Sequence, residues 1–450
     1  MLKYFRDFRS WLGELADPRR RDRVVYPLPF MVMQAVVPHV AGYASNRETA
    51  DVGDSEHYIG NLNDMAGGGA SAMPSRMPHY TTVSYLMMKL APGQLERLRH
   101  LMVRRLLGSR VLQGMRVRGL YMVAVDAVKY HGSRRELAHS THVTHKDGSV
   151  EYSLRALEAK LVSPDGMVIS IASERIENPE DTEYDKQDCE LKAFRRLAAK
   201  LKEAYPRLRV CLLLDGLYLC RDVIGICRDN RWEYSITFKE GSAPAFHKAA
   251  MERLAKSGHN VIADDDPVDR TPRRVRWCNN VRHDLGGGGE MVNASVVRRD
   301  PCPDGTGKTL MYLTSIHLER KWVADVLDNL CRARWKIENE GFNNQKNHGL
   351  ELEHVFATRG NAAYNYYLAV QIAHILLELI IRGSIFRRLQ HHEHPKTVPR
   401  TICEPMLRWF GTRKRVMREI REALRHKRVD TKIGFSAWRL ELYTCSFSSA

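Results

Sequence analysis

Three acidic residues stand where they could act on one substrate: Asp126, Asp215 and Glu338. Asp126 follows the apolar run LYMVAV, Asp215 follows the apolar run VCLLL, and Glu338 lies in a stretch of helical character. Phosphodiester chemistry with two divalent ions needs carboxylates from separate elements that hold the ions about 3.5–4 Å apart. An aspartate after an apolar strand can also be a turn former or a helix cap. The three acids together nevertheless favour a site for two Mg²⁺ (or Mn²⁺) ions.

The helix-like stretch at 331–346 places Glu338 among basic and polar residues. At roughly 100° per residue, Arg334, Glu338 and Gln345 fall within about 40° of one another, with Cys331 beside them, while Glu340 points to nearly the opposite side. A carboxylate beside a guanidinium suits either a structural ion pair or a metal ligand next to a bound phosphate. The helix alone leaves both interpretations open.

The pattern around the two aspartates predicts an α/β arrangement. A turn at 163–166 and an amphipathic helix at 188–204 separate runs that are typical of β-strands. These runs lie at 120–125, 151–157, 160–171, 210–214 and 232–238. The order is strand, hairpin, helix, strand, helix, strand, and its first and fourth strands each deliver an aspartate at the carboxyl end.

Other parts of the chain have different patterns. Residues 1–115 predict short helices, whose arginine-rich faces are either solvated or part of a DNA-contacting region. Alternating segments separated by Gly- and Asp-rich turns predict an antiparallel β-rich insertion at 240–318. Helical periodicity resumes at 319 and continues into a strongly basic C-terminal region.

The composition points to a folded protein with a polyanionic partner. The chain has 450 residues, enough for two or three lobes, and 70 Lys and Arg against 53 Asp and Glu give a net charge of +17. Such an excess favours nucleic acid, although many basic proteins bind nothing specific.

The cysteines and apolar segments suggest a cytoplasmic protein without a membrane span. Nine scattered cysteines without a C-x-x-C pair favour reduced thiols, and the charged N-terminus lacks the apolar core of a secretory signal. The apolar stretches at 26–44 and 366–381 contain prolines or polar residues. We therefore expect both to be buried core segments.

Three segments resemble the DDE-type insertion-sequence transposases, in the group whose core carries a β-rich insertion between the second Asp and the Glu. They are VAVDAVKYHGS around Asp126, LLLDGLYLC around Asp215 and RWKIENEGF around Glu338. KQDCE at 186–190 and GLELEHVF at 349–356 are also similar to this group, and the resemblance covers roughly residues 80–390.

The resemblance implies an RNase H-like mixed-sheet core interrupted by a β-rich insertion, with helical N- and C-terminal regions. The implied parts are a DNA-binding region at 1–115, the first part of the core at 116–239, the insertion at 240–318, the second part of the core at 319–390 and a basic helical region at 391–450. It also implies that Asp126, Asp215 and Glu338 hold two Mg²⁺ (or Mn²⁺) ions for cleavage of double-stranded DNA at the terminal inverted repeats of a transposon. Strand transfer into target DNA would follow, and synapsis of two ends makes a homodimer plausible.

The group has the helix pattern Tyr-x2-Arg-x3-Glu-x6-Lys, whose flanking residues bind DNA phosphates. This chain matches it at Arg334 and Glu338 but has Cys331 in the tyrosine position and Gln345 in the lysine position, with Lys346 as the substitute phosphate ligand. Two alternatives follow: a catalytically impaired, transposase-derived DNA-binding protein, or a metal-dependent nuclease without strand transfer. The neighbouring Trp335 and Phe342 are expected to pack in the core rather than stack on bases.

Overall fold

The structure of the chain is a computed structural model. It describes residues 4–50, 55–69, 73–178, 188–268, 270–283, 290–299, 309–382 and 403–426. Residues 186 and 187 of KQDCE and much of the expected C-terminal basic region therefore lie outside the described residues.

The described residues before Arg116 form helices and contain no strand, as the sequence predicts. Local signals set several of the boundaries: Ser55 accepts a hydrogen bond from the Tyr58 amide (3.3 Å), and Pro92 stands in a first turn. The α-helices are α1 (Phe8–Gly13), α2 (Leu28–Val40), α3 (Asn46–Ala50), α4 (Glu56–Ala66), α5 (Tyr80–Lys89) and α6 (Pro92–Gly108).

One mixed sheet of eleven strands runs through the described residues that follow. The strands are β1 (Arg116–Val117), β2 (Leu120–Ser133), β3 (Thr141–Thr144), β4 (Val150–Val162), β5 (Val168–Ile176), β6 (Val210–Leu214), β7 (Glu233–Phe238), β8 (Val261–Asp265), β9 (Pro272–His283), β10 (Glu290–Arg299) and β11 (Thr309–Thr314). Their order is β3-β4-β2-β6-β7-β11-β10-β9-β8, with β1 beside β2 and β5 beside β4. The pairings β2–β6 and β6–β7 are parallel, and the others are antiparallel.

The helices α7 (Glu190–Ala204), α8 (Arg221–Asn230) and α9 (Pro244–Lys256) lie between strands in the chain. The fold class is thus mixed α/β, as predicted. Helix α9 is a difference, because the stretch that contains it was expected to be β-rich throughout. Pro244 opens it, and Phe246, Ala250 and Leu254, spaced four apart, are buried on its inner side.

Strand β4 also differs from the prediction, which placed two runs at 151–157 and 160–171. The structure has one continuous strand to Val162, a turn, and then β5. Glu158 and Lys160 are both fully buried within β4. Ser170 and Ser173 donate to the Glu158 carboxylate, and Lys160 donates to Gln345 and Gln371, so both charges are satisfied inside the fold.

Helical structure resumes at Val323 and continues to Asn347 in irregular form, which we call the 323–347 helix. Its ends are the α-helical turns α10 (Val323–Asp325) and α11 (Asn343–Asn347). Between them lie wide π-helical turns at Val326–Leu330 and Ile337–Phe342 and a tight 3₁₀ segment at Cys331–Trp335. The regular 100° spacing assumed from the sequence is therefore not kept along this helix.

Two further helices complete the described chain, α12 (Ala362–Arg382) and α13 (Cys403–His426). By length and composition α12 could cross a membrane, but 94% of its most apolar stretch is buried in the protein. The core role expected for 366–381 is confirmed. Arg413 of α13 is fully buried and donates to Glu378 of α12, which anchors the C-terminal helix on the core.

Candidate active site

Asp126 and Asp215 stand at the same level on neighbouring parallel strands. The parallel pairing of β2 with β6 ends at Ala124 opposite Leu213, and each aspartate lies two residues further along its strand direction. Paired residues of adjacent strands share a face of the sheet and lie about 5 Å apart. Because β6 ends at Leu214, Asp215 leaves the sheet there and caps a short 3₁₀ turn by accepting from the Leu217 amide (2.9 Å).

Glu338 reaches the same place from the 323–347 helix, which contacts both β2 and β6. Its carboxylate accepts a hydrogen bond from Arg334 at 2.7 Å, one helical turn earlier, so the two residues share a face as the sequence predicts. The Glu338 side chain is 47% exposed and that of Arg334 only 12%. The acid is accessible, and its arginine is held against the protein.

The electrostatics of Asp126 couple this residue to both of the other acids. The pKa of Asp126 is raised to about 7, first by burial and then by the Glu338 and Asp215 carboxylates, whereas Arg334 and the Ala127 amide oppose the rise. Like charges in a partly desolvated place repel each other and favour a proton or a cation between them. Asp126 and Asp215 thus lie just past the point where the parallel pairing of β2 and β6 ends, and Glu338 interacts electrostatically with Asp126 there. The prediction that Asp126 stands at the carboxyl end of its strand was wrong, because β2 continues to Ser133.

The three carboxylates are oxygen ligands of the kind that a hard divalent cation prefers. Each of them accepts a hydrogen bond from the protein: Asp126 from the Ala127 amide (2.8 Å), Asp215 from the Leu217 amide and Glu338 from the Arg334 guanidinium. Within the described ranges, no three His, Cys, Asp or Glu side chains are arranged as a ready metal-binding group. Mg²⁺ is commonly held by one or two carboxylates together with waters and substrate phosphates. The oxygen ligands present therefore fit Mg²⁺ or Mn²⁺, and the two-ion arrangement stays a prediction.

A tyrosine that sequence analysis did not select interacts electrostatically with two of the carboxylates. Tyr218 is fully buried, and burial together with Glu190, Asp215 and Asp126 raises the pKa of its hydroxyl well above the ordinary value. The hydroxyl donates to Glu190 (3.5 Å), which also pairs with Arg155 at 2.6 Å. The signal in the sequence was its place three residues after Asp215, which puts it on the capped turn.

Of the two predicted phosphate ligands, Arg334 lies beside the carboxylates and Lys346 lies further along the helix. Lys346 forms an ion pair with Glu353 at 2.7 Å, and its side chain is 28% exposed. The two positions that depart from the family pattern are both inside the protein: Cys331 is 2% exposed and Gln345 is fully buried. Gln345 therefore does not share the exposed face of Glu338, because the irregular turns rotate it toward the core.

The two aromatic residues of this helix behave differently. Phe342 is 6% exposed and packs in the core, as expected. The same expectation was wrong for Trp335, which is 42% exposed. Its ring forms one side of a cavity lined also by Leu310, Tyr312 and Arg332. The tight 3₁₀ segment turns Trp335 outward, which regular helical spacing could not reveal.

No protein-family model matches this chain, and no curated protein is significantly similar to it.

Proposed function

We propose that this protein is a DDE-type transposase that cleaves DNA at transposon ends and transfers the strand into target DNA. The observation that supports the proposal is the electrostatic coupling of Asp126 to Asp215 and Glu338, beside the end of the parallel pairing of β2 and β6. Those are the three acids whose surroundings resemble the transposase motifs, and they come from two strands and a packed helix. A net charge of +17 suits the double-stranded DNA that such an enzyme must hold.

The finer fold assignment belongs to the same proposal. The strands β5, β4, β2, β6 and β7 form a hairpin-flanked mixed sheet with the order strand, hairpin, helix, strand, helix, strand. This arrangement supports an RNase H-like core. Strands β8 to β11 extend the sheet antiparallel from β7, between the second aspartate and Glu338 in the chain. That location supports a β-rich insertion, which would divide the core into parts at 116–239 and 319–390.

Each residue has a distinct role in the proposed reaction. Asp126, Asp215 and Glu338 would hold two Mg²⁺ (or Mn²⁺) ions, which when bound activate the attacking hydroxyl and stabilise the leaving oxygen. Arg334 would place a phosphate of the DNA end beside the carboxylates and Lys346 a second one. Glu190 and Tyr218 would keep the turn after Asp215 in place. Water and then the freed 3′-hydroxyl serve as nucleophiles.

The proposed partners are the terminal inverted repeats of a transposon and the target duplex. A homodimer would hold two ends in synapsis, in the cytoplasm where the DNA lies. The basic helices at both ends of the chain would bind those parts of the duplexes that lie outside the carboxylate site.

The experiment is a cleavage assay with duplexes that contain the natural terminal repeats, in Mg²⁺ or Mn²⁺. Asp215→Asn keeps the size of the side chain and its hydrogen bond from the Leu217 amide but removes a charge, and we expect cleavage to fall by at least about a hundredfold. Asp222→Asn, on the exposed side of α8, is the matched control. Full activity in Asp215→Asn would contradict the proposal.

A second candidate is a transposase-derived protein that binds DNA without cutting it. Burial of Cys331 and Gln345 favours it, because neither can contact a phosphate in the position where the family pattern has a DNA ligand. It predicts tight, salt-sensitive duplex binding and no nicking of end-containing DNA by the wild-type protein. A nuclease without strand transfer would give cleaved ends and no joined products in the same assay.

A further inference from the structure

The opposite edge of the sheet, where the parallel strands begin, collects positive charge. The Tyr121 amide at the start of β2 donates to the Arg209 carbonyl (2.9 Å), just before β6. Strands β6 and β7 pair Cys211 with Glu233, so Arg209 and Arg231 each stand two residues earlier at this edge. The antiparallel β11 brings the chain back here, since the Ser315 amide donates to Tyr234 (3.2 Å).

We call this surface the arginine edge. Its members are exposed cations from four segments of the chain: Arg116, Arg118, Arg209, Arg231, Arg320 and Lys321. Lys321 pairs with Glu319 at 3.1 Å. In the part of the chain that the structure describes, the five arginines have no carboxylate within ion-pair distance. The charge of the edge is therefore largely uncompensated, unlike that of Arg334 or Lys346.

Aromatic rings hold part of this charge in place without neutralising it. The Arg118 guanidinium lies 4.3 Å from the centre of the Trp322 ring, and the Lys321 ammonium lies 4.1 Å from it. Arg116 lies 5.8 Å from the Tyr121 ring. A guanidinium stacked on a ring keeps its donors free for a phosphate and loses less entropy when it binds one.

Backbone conformation gives an independent indication of a role for two of these arginines. Arg118 and Arg231 have φ angles of 52° and 58°, in the left-handed region that favours glycine. Arg231 occupies the residue after α8, where glycine is the usual choice. Each position carries a long cation at a conformational cost.

We propose that the arginine edge binds a duplex DNA segment other than the one held at the carboxylates. Arg118, Arg209 and Arg231 begin three adjacent strands and span about 10 Å, which matches the phosphates of about three base pairs. The six residue steps from Arg209 to Asp215 along β6 separate the two surfaces by about 20 Å. The binding of a duplex at the arginine edge does not depend on the proposed catalysis. Only the identification of this duplex as a second DNA of the transposition reaction rests on the proposed function.

The test measures binding of a random-sequence 20-base-pair duplex by fluorescence anisotropy over a series of salt concentrations. All proteins carry Asp215→Asn, so that cleavage does not affect the result and failure of the catalytic proposal leaves this one intact. The test variant combines Arg118→Gly, Arg209→Gln and Arg231→Gly. We expect affinity to fall by roughly tenfold or more, and the slope of log affinity against log salt to decrease by about 2 to 3.

The control variant, Arg253→Gln with Arg274→Gln and Arg298→Gln, removes the same charge from exposed positions on α9, β9 and β10. It should keep most of the affinity. Because glycine suits the left-handed positions, Arg231→Gly alone should melt no lower than the parent protein, which separates lost binding from lost folding. Unchanged affinity and slope in the test variant, or equal losses in the control, would overturn the proposal. Tighter binding of duplex RNA than of duplex DNA at this edge would overturn it as well.

Discussion

At the scale of single residues, Glu338 could be selected because an arginine four residues earlier shares its helical face, and that pair is present at 2.7 Å. Tyr218 and Trp335 could not be placed in the same way. Their surroundings depend on the capped turn after Asp215 and on the 3₁₀ segment, which are set by tertiary packing.

The carboxylate cluster makes a prediction about the titration of Asp126 in the metal-free protein. Its side chain should titrate near pH 7, because burial and Glu338 raise its pKa to about 7 while Arg334 lowers it. Arg334→Gln removes the opposing cation, so the pKa of Asp126 should rise. Glu338→Gln removes the repelling carboxylate, so the pKa should fall.

Carboxyl carbon NMR of selectively labelled aspartate would measure these shifts. Lys336→Gln is the control, because Lys336 pairs with Glu340 (2.7 Å) and not with the cluster. A pKa of Asp126 that stays the same in both Arg334→Gln and Glu338→Gln would show that the three acids are not electrostatically coupled. Glu338→Gln should change the free energy of unfolding by no more than about 1 kcal/mol, since Glu338 is half exposed.

At the scale of elements, the sequence predicted most strands and helices but not the network that joins three of them. Lys160 of β4 donates to Gln345 (3.1 Å) of α11 and to Gln371 (2.8 Å) of α12. Gln345 in turn contacts Gln371 and His374. The partners of Gln345 lie far away in sequence, so local periodicity could not show that this residue faces the core.

This network explains why Gln345 is buried and predicts that the lysine of the transposase pattern would be harmful at this position. Gln345→Lys would place a second ammonium beside Lys160 in a fully buried position. We expect it to reduce the free energy of unfolding by about 3 kcal/mol or more. Gln345→Glu, which supplies an anion to Lys160, should cost less than half as much. Denaturant titration of both variants measures the difference, and a Gln345→Lys protein as stable as the wild type would disprove this account.

At the scale of the whole molecule, the helical part of the fold buries His39 and His374 and half-buries His100, which composition alone could not show. Burial lowers the pKa of His39 to about 4, of His100 to about 3 and of His374 to about 4. These histidines come from α2, α6 and α12, so the side chains with a lowered pKa are distributed over the helical part of the fold rather than confined to one site.

These histidines predict that the protein loses stability in mild acid. Because each is neutral when folded but binds a proton near pH 6.5 when unfolded, the unfolded state takes up more protons as the pH falls. Their contribution is complete above pH 6.5 and is lost as the pH falls from 6.5 toward 4. When all three histidines contribute, the free energy of unfolding should fall by up to about 4 kcal/mol per pH unit.

Denaturant titrations at pH 7.5, 6.5 and 5.5 measure this slope. His39→Asn keeps a donor for the Leu350 carbonyl and should remove about a third of it, whereas exposed His57→Asn should remove none. A stability that is flat from pH 7.5 to 5.5 would mean that the three rings are protonated, or exposed, in the folded protein.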